Sequence, residues 1–182
     1  MKDRPAERPD ADHRVIFAGE VIASNNGLIL ETLLGSCIAV CLWDPIAGVG
    51  GMNHFILPDS TDSSKAPANF GVHAIRLLID QCISLGGNRS RLEAKVFGGG
   101  QMLACIASEG SVSQRNVQFV HEFLAAEHIP VVSKDVAGVC ARRISFDTRS
   151  GKIIVRRLST GRFTDLATLD GNLQNRDRRR AA

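Results

Sequence analysis

The sequence contains no apolar run of the roughly 20 residues that a membrane-spanning helix needs. Its longest apolar neighbourhood, residues 27–43, is interrupted by Glu31, Thr32, Gly35 and Ser36. Residues 1–14 are charged and hold no apolar h-region, so no secretory leader is expected and a cytoplasmic location is. No C-x-x-C pair occurs, and Cys37 with Cys41 has no matching His/Cys pair downstream, which argues against a structural zinc site. The five cysteines are odd in number and are expected to be reduced. Neither G-x-G-x-x-G nor G-K-[ST] is present, so no phosphate-binding loop is read; no metal and no cofactor are expected. Charge of one sign is also scarce. Residues 1–14 balance Lys2, Arg4, Arg8 and Arg14 against Asp3, Glu7, Asp10 and Asp12. Residues 171–182 set Arg176, Arg178, Arg179 and Arg180 against Asp177, so the whole net excess of +3 lies there. The body is neutral, which excludes a basic nucleic-acid face.

At 182 residues and 44% hydrophobic, the chain is long and apolar enough for one well-packed domain. No internal repeat and no inter-domain linker is visible. Residues 1–14 read as a disordered lead, 15–165 as the folded domain and 166–182 as a polar, Arg-rich tail. Strands are expected at 15–22 and 28–32, joined as a hairpin through Asn25, Asn26 and Gly27. Further strands are expected at 38–43 and 50–57, around a turn at Asp44-Pro45-Ile46-Ala47-Gly48. Residues 58–69 are polar and read as a surface loop, a candidate lid. A helix is expected over 71–85, with Ala74, Ile75, Leu78, Cys82 and Leu85 on one face and Gly86-Gly87 ending it. A strand at 92–97 precedes Gly98-Gly99-Gly100, and residues 101–112 fit no single element. A second helix spans 113–127, with Val117, Val120, Phe123 and Leu124 aligned. Then come a strand at 129–132 and a hairpin of 143–147 with 152–158. Strands before and after two helices indicate an α+β fold: a single-domain sandwich of mixed β-sheet with helices packed on one side.

Chemistry concentrates in residues 32–58. Free cysteine is often a small buried hydrophobe, and Cys41, Cys82 and Cys105 sit inside apolar patterns that suit that role. Cys37 differs, because Gly35-Ser36 breaks the backbone pattern just before it. If Ser36 caps a helix, the helix dipole favours the Cys37 thiolate; if Cys37 opens a strand, that help is absent. His54 follows a return turn that can carry it back towards Cys37. A thiol nucleophile needs an imidazole within reach to take its proton and later protonate the leaving group. The simpler reading of His54 is a satisfied histidine at the core edge. His13, His73, His121 and His128 are placed on the surface. Thr32 can orient the imidazole through its hydroxyl, although from pattern alone an ordinary strand threonine is the simpler reading. Asn53 can orient the ring or donate to an oxyanion. The three glycines are read as a close approach of backbone to another element, and the arginine cluster as solvated tail.

The run Leu34-Gly35-Ser36-Cys37-Ile38-Ala39-Val40-Cys41-Leu42-Trp43-Asp44-Pro45, followed by Gly48-Val49-Gly50-Gly51-Met52-Asn53-His54-Phe55-Ile56-Leu57-Pro58, resembles the signature of the CheD family of chemoreceptor glutamine deamidases. Leu92 to Gly100, Arg115-Asn116 and Ser150-Gly151-Lys152 agree in order, so the resemblance covers about Val15 to Leu158. It implies that Cys37 attacks a glutamine side-chain amide on the cytoplasmic helices of a receptor. His54 then serves as base and acid, Thr32 carries the family's threonine role, and ammonia leaves. It implies a CheC-type phosphatase as a second partner. Nothing in the sequence demands more than a monomer. Val139 and Cys140 depart from the family's polar Gly-Gly-Asn-like stretch, which bears on docking rather than chemistry. Two readings compete with the deamidase: a non-catalytic chemotaxis regulator that binds receptor helices or the phosphatase, and a cysteine peptidase or transamidase using the same two residues.

Overall fold

The computed structural model describes residues 12–57, 70–101 and 111–158. In chain order it contains β1 (His13–Val15), β2 (Val21–Ser24), β3 (Ile29–Leu34), β4 (Ile38–Asp44), β5 (Val49–Asn53), α1 (Gly71–Ser84), β6 (Glu93–Gly98), α2 (Val112–Ala126), β7 (Val131–Val136), β8 (Ala141–Asp147) and β9 (Ile153–Leu158). The strands form two sheets, ordered β1-β3-β8-β9 and β2-β5-β4-β6-β7. Each contains one parallel pair among antiparallel ones, β1 with β3 and β6 with β7, so both are mixed.

Side-chain alternation along β4 builds the layers. Ile38, Val40 and Leu42 face α1 and α2, joining Ala74, Ile75, Leu78, Val120 and Leu124 in one core. Ala39 and Cys41 face the other sheet and meet Leu30, Leu34, Ile144 and Phe146 in a second core. β4 is thus covered on both faces, which is why it reads as an unbroken apolar run and not as an alternating one. Both helices lie on the outer face of the five-stranded sheet. The α+β expectation with helices on one side therefore holds, with two sheets where a single one was anticipated. α1 ends at paired glycines as expected, with Gly86 N–H on the Ile83 carbonyl and Gly87 N–H on that of Cys82. Ser111 caps α2, accepting from Gln114 N–H at 3.3 Å.

The expected hairpin of residues 15–22 with 28–32 is not formed. Glu20 Oε2 accepts from Phe17 N–H at 2.8 Å and stabilises a turn that divides the first segment. β1 then runs parallel to β3, and β2 crosses to pair antiparallel with β5 in the other sheet. Asn25, Asn26 and Gly27 do form a turn, but it passes from one sheet to the other. The later hairpin appears as β8 and β9, and the return turn before His54 as the β4–β5 connection. β1 begins at His13, within the segment read as lead. Residues 1–11, the loop at 58–69, Cys105 and the tail at 166–182 lie outside the described residues.

Asp44 fastens the β4–β5 turn to the approach to β6. Its carboxylate is fully buried and accepts from Ile46 N–H, Ala47 N–H, Asn88 N–H and the Arg91 guanidinium. Burial opposes ionisation there, but Arg91 and the three N–H groups outweigh it and hold the carboxyl well below the usual range.

Candidate active site

Cys37 lies in a bend, with β4 beginning at Ile38, so it opens a strand and no helix dipole acts on it. Ile38 and Phe55 exchange backbone hydrogen bonds, Ile38 N–H to Phe55 O at 3.1 Å and Phe55 N–H to Ile38 O at 2.9 Å. This continues the β4–β5 register past the end of β5. Ile38 and Phe55 both face the helices. Their chain neighbours Cys37 and His54 therefore share the opposite face, as diagonal cross-strand neighbours. Cys37 is half-buried at the edge of the second core, and His54 is only 6% exposed.

The protonation of His54 follows from its partners. Thr32 Oγ1 lies 2.6 Å from the Ile16 carbonyl, which can only accept, so the hydroxyl hydrogen goes there. The same oxygen is 2.9 Å from His54 Nδ1 and must accept from it. Nδ1 thus carries the ring hydrogen and Nε2 keeps its lone pair. Nε2 is buried and has no hydrogen-bond partner among the described residues, Cys37 included. Burial lowers the His54 pKa to about 4, with the Ile16 carbonyl offsetting this only in part. Burial also pushes the Cys37 thiol up, against weaker pulls from the Ser36 hydroxyl and its own N–H. At neutral pH the pair is a neutral thiol beside a neutral imidazole whose free nitrogen is a base.

Two predictions arise here. Because the folded His54 pKa lies below its unfolded value of about 6.5, the unfolded chain binds the extra proton between those values. The His54 contribution is intact above about pH 6.5 and falls as pH drops towards 4, by roughly 3 kcal/mol in all. Urea midpoints of wild type and His54→Asn across that window should show this slope in wild type and lose it in the variant. Thr32→Val keeps the side-chain shape but removes the acceptor for Nδ1–H. It is expected to lower kcat by about ten- to a hundredfold, less than substitutions of Cys37 or His54, with KM little changed.

A frame of backbone contacts surrounds the cysteine bend. Gly99 N–H donates to Cys37 O and Gly100 N–H to Gly35 O, both at 2.8 Å. The three glycines therefore make the close approach their sequence suggests, and it is to the Gly35–Cys37 bend. Arg142, 3% exposed, donates to Gly98 O at 3.0 Å and to Asp135 at 2.9 Å, holding the glycine run against β7 and β8. Asn116 of α2 is fully buried and its Nδ2 donates to Ser36 O at 3.1 Å and Ile56 O at 2.8 Å. It clips the residue before Cys37 to the strand that carries His54.

Neither Asn116 nor Arg142 was singled out from the sequence as a site residue. The available signal for Asn116 was a polar residue on the apolar face of α2, beside Val117 and Val120. Asn53 does not reach the ring; its Oδ1 accepts from Val40 N–H at 2.9 Å. Cys41 and Cys82 are fully buried, as expected, and burial raises the Cys82 thiol to about 12. His13, His73 and His128 are exposed and His121 is half-buried. Val139 is 53% exposed, close to the glycine run. A cavity of about 300 Å³ opens beside His54 and Thr32, walled by residues 15–18, Glu31, Leu33 and Arg143. Cys37 is not part of its wall.

A two-sheet α+β sandwich that places a thiol and an imidazole on one face, with a hydroxyl fixing the ring, has the parts of a cysteine acyl-transfer site. A family model described as CheD chemotactic sensory transduction matches residues 56–157, a span that begins after Thr32, Cys37 and His54. A protein of Laribacter hongkongensis (strain HLHK9), named probable chemoreceptor glutamine deamidase CheD, is 44% identical over 147 residues, 79% of this chain and 71% of that protein. One of Chromobacterium violaceum, named probable chemoreceptor glutamine deamidase CheD 2, is 45% identical over 146 residues, 79% and 72% of the two chains. One of Stenotrophomonas maltophilia (strain K279a), again named probable chemoreceptor glutamine deamidase CheD, is 42% identical over 147 residues, 81% and 74%. The chain belongs to the CheD family.

Proposed function

We propose that the protein deamidates glutamine side chains of chemoreceptors to glutamate through an acyl-enzyme on Cys37. The activity is the one its relatives are named for. The observation that supports the chemical assignment is the chain of contacts Ile16 O, Thr32 Oγ1 and His54 Nδ1, which leaves Nε2 as a free base on the same face as Cys37. As substrate binds, Nε2 takes the thiol proton and Sγ attacks the amide carbon. The imidazolium then gives that proton to the departing nitrogen, which leaves as ammonia. Water, activated by the same Nε2, hydrolyses the thioester and restores the thiol. The backbone N–H of Cys37 is the proposed donor to the tetrahedral oxyanion.

Among the described residues no helix is long and apolar enough to cross a membrane. In this reading the reaction takes place in the cytoplasm, on receptor helices, with the protein acting as a monomer and a CheC-type phosphatase as a second partner. The test is mass spectrometry of a cognate receptor cytoplasmic fragment incubated with wild type or Cys37→Ala. A Gln-to-Glu shift with wild type alone supports the reading, and peptide cleavage or cross-linking would replace it with a peptidase or transamidase. Binding without any shift would favour the non-catalytic regulator.

A further inference from the structure

We propose that the cavity beside His54 is a specificity subsite that binds a carboxylate on the substrate polypeptide through Arg143, an inference that rests on the deamidase reading. The cavity shares His54 and Thr32 with the candidate machinery but excludes Cys37. The side chain that enters it is therefore not the one that reacts, but a neighbour on the same polypeptide. Arg143 is half-buried in the cavity wall and belongs to none of the ion pairs among the described residues. Directly across the β8–β9 ladder stands Arg156, which is exposed and also without an ion pair among them, so no carboxylate is supplied from that side. Two like charges in register repel unless an anion lies near. Glu31 also lines the cavity, but its carboxylate has His13 Nδ1 at 3.9 Å and makes no ion pair with Arg143 among the described residues. A guanidinium in a partly dry pocket is matched by a carboxylate, which it grips through two parallel N–H donors.

The test uses receptor-derived peptides with one fixed target glutamine and with Glu, Gln or Lys placed in turn at each position within one helical turn of it. Wild type should prefer Glu over Lys at one such position by at least about tenfold in kcat/KM, carried by KM, as expected of a charge-assisted contact. Arg143→Glu should reverse that preference, and Arg143→Ala should abolish it while still turning over the Gln peptide. Equal rates on all three peptides, from an enzyme that deamidates them, overturn the subsite and leave the deamidase reading intact. A preference for Gln over Glu reassigns the cavity to an amide and also overturns it. No ammonia from any peptide or from the intact receptor fragment overturns the deamidase reading, and the subsite with it.

Discussion

Cys37→Ala is expected to reduce deamidation of a receptor fragment to background while leaving the thermal transition nearly where it is in wild type. The fold tolerates the change because Cys37 is half-buried at the edge of the second core. The chemistry does not, because no other thiol among the described residues can take its place. Cys41 and Cys82 are sealed in the cores, and Cys140 lies beyond the glycine run. His54→Ala should lower kcat by at least about a hundredfold, since one base serves both half-reactions. The ionisation of the pair sharpens the expectation. Burial raises the thiol and lowers the imidazole, so the resting site is not a thiolate–imidazolium ion pair. Alkylation of Cys37 by iodoacetamide should be slow at pH 6 and accelerate steadily through pH 9. A rate already at its plateau at pH 6 would show a preformed thiolate and overturn this description, whatever the activity of the alanine variant.

The parts of the candidate site were legible where the chemistry depends on residue type. Cys37 and His54 could be named as candidates because a thiol and an imidazole stand out in apolar sequence, whereas Thr32 read from pattern alone as an ordinary strand threonine and was named only through the family resemblance. The return turn at Asp44–Gly48 suggested that the two approach each other, and the structure pairs their chain neighbours Ile38 and Phe55. The elements with one apolar stripe, α1 and α2, were legible for the same kind of reason: a 3.6-residue period survives whatever the helix packs against. What periodicity could not convey was the choice of sheet. Residues 15–22 and 28–32 both look like strands, and a turn between two strands looks like a hairpin. A single buried carbonyl, Ile16 O, is taken up by Thr32, and the turn held by Glu20 sends β2 to the other sheet. That partition is also what wraps residues 15–18 beside His54 and creates the cavity. Asn116 and Arg142 were assigned no role because what they make are contacts to backbone carbonyls, Ser36 O, Ile56 O and Gly98 O, which no side-chain pattern announces.

Gly98→Ala should be the most damaging single methyl addition near the site. Gly98 has φ of +111°, a region that L side chains avoid. A Cβ there would overlap the Cys37 carbonyl oxygen and sit 3.1 Å from Cys37 C and 3.2 Å from Ile38 Cα. All three are backbone atoms, so no side chain can swing away to relieve the contact. Gly98 cannot retreat easily either, because it pairs with Ile38 on one side and Val136 on the other, and its carbonyl is held by Arg142. The element left to move is the Gly35–Cys37 bend, which carries the nucleophile. Gly86→Ala is the matched control: φ is +101° and nothing lies within 4 Å of the added methyl. It should cost about 1 kcal/mol, the penalty of the backbone conformation alone. Gly98→Ala should cost several times that in urea unfolding, and the protein that remains folded should have kcat reduced by at least about tenfold. Equal destabilisation by the two variants, with kcat at the wild-type value in both, would mean that the bend yields without displacing Sγ. The glycine run would then be a packing device and not the support that places the nucleophile against His54.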